Sequence, residues 1–143
     1  MIEASSEETL DRSPEEVFDF LADSANEAAW NADVISVEQV SPGPAGPGSV
    51  RRGEYRHIGR IESTIVDYER PRRLGFRAVG RQAELTLDFR FDAVGGGTRM
   101  RVHGTLALKG PLRLAEGGLR GVVTQQYAER ARAIKRALDG RPG

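Results

Sequence analysis

Few side chains in this sequence have the chemistry of catalysis, and none of them forms a recognisable motif. The 143 residues include no cysteine and two histidines, His57 and His103. This excludes a thiol nucleophile, a cysteine-ligated metal and a multi-histidine metal centre. No P-loop, Gly-x-Gly-x-x-Gly, His-Glu-x-x-His or Gly-x-Ser-x-Gly pattern occurs. The sequence therefore identifies no catalytic residue, and it predicts neither a metal site nor a cofactor.

The two histidines differ in their surroundings. His57 ends a predicted strand beside Ile58 and Gly59. Histidine changes charge near neutral pH, so His57 is a candidate general base. Its position before a glycine is also typical of an exposed loop residue. His103 alternates with Arg99 and Arg101, which predicts a surface position.

The candidate ligand-binding residues are mostly aromatic. Trp30 either anchors the core or lines a pocket, because ligand pockets are mostly apolar with few polar groups. Tyr55 and Tyr68 lie on predicted strands, and their hydroxyl groups need partners if they are buried. The phenylalanines of the strands are either core or cavity wall, and strand alternation does not separate the two. The predicted ligand-binding residues are Trp30, Tyr55, His57, Tyr68, Phe76, Phe89, Phe91, Val123 and Tyr127.

Seven short strands are predicted to carry most of these side chains. Apolar and polar residues alternate in short runs, and glycine- and proline-containing turns separate the runs. Turns at this spacing indicate an antiparallel meander. The adjacent apolar residues Ile65 and Val66 leave the register of their strand open. The predicted strands are 2–12, 34–40, 49–57, 61–69, 73–79, 83–93 and 97–109.

Helices are predicted after the first strand and at the end of the chain. Ser13-Pro14-Glu15-Glu16 has the form of a capping box and begins a helix that ends near Asp23. A second capping box, Ser24 to Glu27, begins a short helix that ends near Trp30. A helical period then runs over 112–138. Gly117, Gly118 and Gly121 weaken the first half of this helix by about 1 kcal/mol each.

The long helix is the one predicted element that can cover the apolar face of the sheet. Gly104 and Ala78 occupy inward strand positions, and the helix brings Gly118 and Gly121. Small residues at facing positions favour a cavity between helix and sheet. Gln126 and Arg130 adjoin the apolar stripe of the helix. Either one of them reaches this cavity, or Arg130 is a solvated edge residue paired with neighbouring acids.

Four segments together resemble the START/Bet v 1-like (SRPBCC) superfamily, in its polyketide cyclase/dehydrase-like branch. They are Ser13 to Asp23, Trp30-Asn31, Glu69 to Leu74 and Gly96 to Met100. The resemblance implies one domain over 1–143 with the α+β helix-grip fold, a curved seven-stranded antiparallel sheet wrapped around a long C-terminal helix, with two short helices after strand 1. Asn31-Ala32-Asp33 departs from the family pattern, because many relatives have a proline soon after the tryptophan.

The resemblance also implies a function: binding or transport of a hydrophobic small molecule of the lipid, polyketide, quinone or isoprenoid class. A polyketide aromatase/cyclase-type enzyme is one alternative. It requires inward polar groups such as Tyr55, His57, Tyr68 or Arg77, although strand alternation favours Phe76 over Arg77 as the inward residue. A protein-interaction regulator without a ligand is the other alternative.

The charge distribution is the main support for an interaction protein. The chain has no net charge, yet residues 1–38 hold eleven acids and one arginine. Glu3, Glu7 and Asp11 are expected to face Arg99 and Arg101 on neighbouring strands, which explains part of this split without a partner. No nucleic-acid partner is expected, because a domain that binds phosphates usually keeps a positive net charge.

The N-terminal residues lack the basic and apolar regions of a signal peptide, and no apolar run approaches the length of a membrane span. We therefore expect a cytoplasmic protein, a monomer or homodimer, with no membrane insertion.

Overall fold

The predicted strands form one antiparallel sheet in the computed structural model, which describes residues 1–141. In this part of the chain the sheet has seven strands in the order β1-β7-β6-β5-β4-β3-β2. The chain therefore runs as a meander from β2 to β7, and β1 lies at the edge beside β7. The strands are β1 (Ile2–Leu10), β2 (Val34–Gln39), β3 (Val50–Tyr55), β4 (Gly59–Glu69), β5 (Arg73–Gly80), β6 (Ala83–Val94) and β7 (Gly97–Leu108).

The helix after β1 begins as predicted, whereas the second capping box is wrong. The Ser13 hydroxyl accepts the Glu16 N–H at 3.3 Å at the start of α1 (Pro14–Ala22). A 3₁₀ helix, Ser24–Asn26, then leads into α2 (Glu27–Trp30). The Asp23 carboxylate caps this turn by accepting the Ala25 N–H at 3.0 Å. Glu27 is buried instead of returning to Ser24.

The C-terminal helix begins four residues later than predicted. Gly110 leaves β7 with a φ of 59°, and Gly110–Ala115 winds as a second 3₁₀ helix. Regular α-helix follows as α3 (Glu116–Asp139), which packs along the inner face of the sheet beside β1. The predicted α+β helix-grip fold is confirmed.

A β-bulge settles the register of β4. The pairing with β5 shifts between Ile65 and Asp67, so Val66 points to solvent while Ile65 stays buried. Beyond the bulge the alternation is reset, and Tyr68 packs on the inner side against Phe18.

Aromatic rings fill the end of the sheet that α1 covers. Phe18 is fully buried, and its ring lies edge-on to Tyr68 at 4.9 Å and to Phe91 at 6.1 Å. Phe89 stacks on Phe91 at 6.2 Å, and Ile134 of α3 belongs to the same cluster. We call this region the packed end.

The predicted cross-strand charges are found in part. Glu7 lies 3.8 Å from Arg99 across β1 and β7, whereas Arg101 pairs with Asp92 at 2.7 Å. Glu3 and Asp11 form no ion pair with any of the described residues. None of the helices in residues 1–141 is both long and apolar enough to cross a membrane.

Candidate ligand-binding cavity

A cavity of about 490 Å³ lies between the inner face of the sheet and the first half of α3. This volume is within the range of small-molecule sites. It is open to solvent at the end of the sheet where the β3–β4 turn and the second 3₁₀ helix lie. We call this end of the molecule the open end. Its walls are mostly aliphatic and aromatic; they include Trp30, Tyr55, Ile61, Phe76, Ala78, Leu85, Leu87, Leu106, Val123 and Tyr127.

Three polar side chains form a buried network in the cavity wall. Glu27 accepts a hydrogen bond from Arg51 Nη1 at 3.0 Å through one carboxylate oxygen. Its other oxygen accepts from the Tyr55 hydroxyl at 2.7 Å. Glu27, Arg51 and Tyr55 are all less than a tenth exposed. Both charges are thus buried away from water, and each still has a hydrogen-bond partner.

Arg51 also joins β3 to the end of α1. Its Nη2 donates to the carbonyl oxygens of Leu21 at 3.1 Å and Ala22 at 2.7 Å. These are among the last carbonyls of α1, which have no partner within the helix. The guanidinium group lies 4.7 Å from the centre of the Phe76 ring. Arg51 is therefore held on several sides by the protein itself.

Tyr55 stays a neutral phenol in this network. Burial, and secondly the charge of Glu27, raise the pKa of Tyr55 far above its ordinary value of 10.0. The ring lies over Gly53, where an added Cβ would stand 2.6 Å from Tyr55 Cε2. Glycine at this position is thus what allows the tyrosine ring to lie against its own strand.

Tyr127 of α3 packs against a glycine of the sheet, as Tyr55 does. Burial raises the pKa of Tyr127. A Cβ on Gly104 of β7 would overlap the Tyr127 ring and hydroxyl. The space expected at Gly104 is therefore filled by Tyr127 and is not part of the cavity.

Arg130 closes one side of the cavity. Its Nη2 lies 3.0 Å from Asp33 Oδ2, and both side chains are about three-quarters buried. The guanidinium group is 5.8 Å from the centre of the Tyr127 ring. Arg130 and Gln126 both line the cavity. Arg130 thus reaches the cavity, as one alternative expected. It is also paired with an acid, but it is not the solvated edge residue of the other alternative, because its side chain is mostly buried.

The mouth of the cavity is formed by exposed residues. His57 lies in the β3–β4 turn with a φ of 75° and lines the opening from an exposed position. Leu112, Leu119 and Val122 line it from the other side, and all three are at least a third exposed.

The structure brings six of the nine predicted residues to this cavity: Trp30, Tyr55, His57, Phe76, Val123 and Tyr127. Tyr68, Phe89 and Phe91 lie elsewhere, which corrects the prediction. Tyr68 and Phe91 pack around Phe18 at the packed end, because α1 covers that part of the sheet. Phe89 lies behind Trp30, with the two rings edge-on at 6.2 Å.

Trp30 fulfils both roles that its sequence allowed. It is 5% exposed and belongs to the aromatic core, and it also lines the cavity. Its indole Nε1 is the one buried side-chain nitrogen or oxygen in residues 1–141 without a hydrogen-bond partner.

Sequence reasoning missed Glu27 and Arg51 as cavity residues. The capping pattern assigns Glu27 to a helix start, and none of the sequence motifs includes Arg51. A usable signal existed for Arg51, since it shares strand parity with Tyr55 and must point inward whenever Tyr55 does. The small residues were also weighed wrongly in part: Ala78 lines the cavity, whereas Gly118 and Gly121 are exposed on α3.

The chain is similar in sequence to one described protein family and to mycobacterial proteins. Residues 1–139 match the protein family described as polyketide cyclase / dehydrase and lipid transport. An uncharacterized protein of Mycobacterium tuberculosis is 30% identical to this chain over an alignment of 135 residues, and the alignment covers 90% of this chain and 79% of that protein. A protein of Mycobacterium bovis matches to the same extent.

Solved structures with this fold have little sequence identity to the chain. A START superfamily protein from Mycobacterium smegmatis has a TM-score of 0.73 at 14% identity, covering 96% of this chain and 94% of that one. Ara h 8.0201 has a TM-score of 0.69 at 19% identity, covering 96% and 98%. The di-domain ARO/CYC BexL from the BE-7585A biosynthetic pathway has a TM-score of 0.70 at 21% identity, covering 97% of this chain and 47% of that one. The family match over nearly the whole chain shows that this protein belongs to the polyketide cyclase/dehydrase and lipid transport family.

Proposed function

We propose that this protein binds or carries a hydrophobic small molecule, of the lipid, polyketide, quinone or isoprenoid class, in the cavity between the sheet and α3. The observation that carries the proposal is the cavity itself, about 490 Å³ in volume with mostly apolar walls. An apolar ligand that enters it loses contact with water, which stabilises the complex by roughly 25 cal/mol per Å² of apolar surface.

The polar residues of the wall support a binding role over a catalytic one. Glu27, Arg51 and Tyr55 hydrogen-bond to one another, and Arg51 also donates to backbone carbonyls. General acid–base catalysis needs a group that is free to exchange a proton with the ligand. These three side chains are instead committed to neighbours within the protein, and they fix the shape of the wall.

The test uses N-phenyl-1-naphthylamine, a neutral apolar fluorescent probe. Trp30 is the sole tryptophan and lines the cavity, so energy transfer from it to the probe reports occupancy. Ala78→Phe places a ring in the cavity, and we expect it to weaken probe binding at least tenfold. Val79→Phe is the matched control, because Val79 is the next residue of β5 and lies exposed on the outer face.

Equal probe affinity in the two variants would contradict the proposal. Native mass spectrometry then identifies the resident ligand, as an extra mass that disappears under denaturing conditions. For a ligand of that class at 100 times its Kd, a thermal-shift measurement should show about 2.7 kcal/mol of stabilisation.

A cyclase-type enzyme is the second candidate, because Tyr55 and His57 both line the cavity. It predicts turnover of a poly-β-keto substrate analogue, lost in His57→Ala without loss of probe binding. Binding of the analogue without turnover favours the carrier. The open cavity gives less support to a regulator without a ligand.

A further inference from the structure

The surface around the cavity mouth combines exposed apolar side chains with unpaired cations. Residues 112–122 contain four of the large apolar side chains that are exposed in the described chain, namely Leu112, Leu114, Leu119 and Val122. Leu114 is 92% exposed and does not line the cavity. An apolar side chain that points away from both core and cavity gains nothing within the isolated molecule.

Five arginines lie in the segments that form the mouth. These segments are the β3–β4 turn with the start of β4, the β5–β6 turn, and the second 3₁₀ helix with the start of α3. All five are exposed, and none has an ion-pair partner within residues 1–141. We call them the basic rim; they are Arg56, Arg60, Arg81, Arg113 and Arg120.

The acid closest along the chain to the apolar residues is held mainly by two donors outside the rim. Glu116 accepts from the Met1 ammonium group and from the Leu108 N–H, and these donors lower its pKa, with a smaller contribution from the charge of Arg113. Lys109 lies in the same region, but its ammonium group is 3.9 Å from Glu84, so these two charges offset each other.

The start of α3 is also weakly held. A Cβ at Gly117, Gly118 or Gly121 would meet no atom within 4 Å, so packing does not explain these glycines. Each lowers the intrinsic stability of the helix. Glycine therefore lowers the helix propensity of the first turns of α3, which bear Leu119 and Val122.

We propose that the basic rim and the exposed apolar residues of 112–122 dock this protein on the surface of an anionic phospholipid bilayer. The leucines would enter the interface while the arginines contact headgroup phosphates, which is the arrangement of peripheral membrane-binding surfaces. Because Leu112, Leu119 and Val122 also line the mouth, docking places the cavity opening against the lipid. A protein partner with an acidic surface is the alternative occupant.

Vesicle flotation tests the proposal on the full chain without added ligand. We expect binding to phosphatidylcholine vesicles that contain about one-third phosphatidylglycerol, little binding to pure phosphatidylcholine, and loss of binding at high salt. Arg113→Gln with Arg120→Gln should weaken binding roughly 30-fold, about fivefold per arginine. Leu114→Ser should weaken it roughly tenfold.

Matched controls lie on other surfaces. Arg72 and Arg77 are exposed and form no ion pair with described residues, and Val66 is 55% exposed on the outer face of β4. Arg72→Gln with Arg77→Gln, and Val66→Ser, should bind anionic vesicles like the unaltered chain. Equal loss in rim and control variants, or no preference for anionic vesicles, would overturn the proposal. So would salt-sensitive binding to a purified acyl carrier protein in the absence of vesicle binding.

The docking proposal and the proposed function fail separately. Arg113, Leu114 and Arg120 do not line the cavity, so their variants should bind N-phenyl-1-naphthylamine with unchanged affinity. Vesicle binding without probe binding retains the docking surface and removes the ligand cavity. Probe binding without vesicle binding retains the ligand cavity and removes the docking surface.

Discussion

The packed end and the open end of the molecule share one sheet face but differ in what covers it. At the packed end, α1 adds Phe18 and Leu21 to the sheet, and both are fully buried. At the open end, the cover is the second 3₁₀ helix and the start of α3, where Leu119 and Val122 remain exposed. The cavity lies where the cover of the sheet leaves apolar side chains exposed.

The comparison also shows how aromatic residues either fill space or leave it open. The rings of Phe18, Phe89 and Phe91 meet each other and close the packed end. Tyr55 and Tyr127 instead pack against Gly53 and Gly104, in space that a side chain at either glycine would occupy. Each of these tyrosines therefore packs beside a glycine instead of against another aromatic ring, and both line the cavity.

The largest expected difference between the two ends is in the cost of removing a ring. Phe18→Ala should lower the free energy of unfolding by about 3–5 kcal/mol, because its close-packed neighbours cannot collapse into the space. Phe76→Ala should cost less than half as much, since one side of that ring already borders the cavity. Urea denaturation of both variants measures this. Equal losses would show that the open end is packed as tightly as the other.

The buried network at the open end provides a second, slightly smaller test. Glu27→Leu leaves the Arg51 charge without its carboxylate and should cost about 3 kcal/mol. Glu27→Leu combined with Arg51→Met should restore part of this loss, because no unpaired charge remains. Restoration is incomplete, since the Leu21 and Ala22 carbonyls lose their donor. A double variant less stable than Glu27→Leu alone would contradict this account of the network.

The fold was more predictable than the cavity, for physical reasons. Strand alternation and the cap at Ser13 depend on residues close in sequence, so periodicity and turn chemistry were enough to find them. The boundary between packed core and cavity depends on which long-range cover meets each strand. Tyr68 and Phe91 were misplaced for that reason, since nothing local shows that α1 folds over them.

The buried charges show a different limit of prediction. Glu27 satisfies a local capping pattern, but Arg51 and Tyr55 compete for it from a strand 24 and 28 residues away. The tertiary contact prevails, because a buried arginine without a carboxylate would be far more costly than an uncapped turn. Local signals therefore predicted a capping role, and only the packed structure identifies Glu27 as part of the wall.

Glycine substitutions should change stability in opposite directions in two parts of the open end. Gly104→Ala forces the Tyr127 ring to move and should cost about 1–3 kcal/mol. Gly121→Ala meets no atom within 4 Å and should stabilise the protein by up to about 1 kcal/mol through helix propensity. Thermal denaturation of both variants checks the signs. Stabilisation by Gly104→Ala would mean that Tyr127 does not depend on the space above that glycine.

Alkaline titration should produce the smallest effect and separate the causes that act on the two cavity tyrosines. Burial raises the pKa of both Tyr55 and Tyr127, and the charge of Glu27 raises that of Tyr55 further. Below pH 10 these phenols are neutral in folded and unfolded chains, so they do not make stability depend on pH. Above the ordinary pKa of about 10, the unfolded chain loses protons that the folded chain retains, so the free energy of unfolding falls as pH rises.

Glu27→Gln should lower the pKa of Tyr55 and leave that of Tyr127 unchanged, because only Tyr55 contacts the carboxylate. Phenolate absorbance, followed in this variant and in Tyr55→Phe, assigns each ionisation step to its residue. If the step assigned to Tyr127 shifted together with that of Tyr55, the charge of Glu27 would act across the cavity. The two tyrosines would then share one electrostatic environment across the cavity. Independent steps would mean that the pKa of each tyrosine depends on the residues beside it.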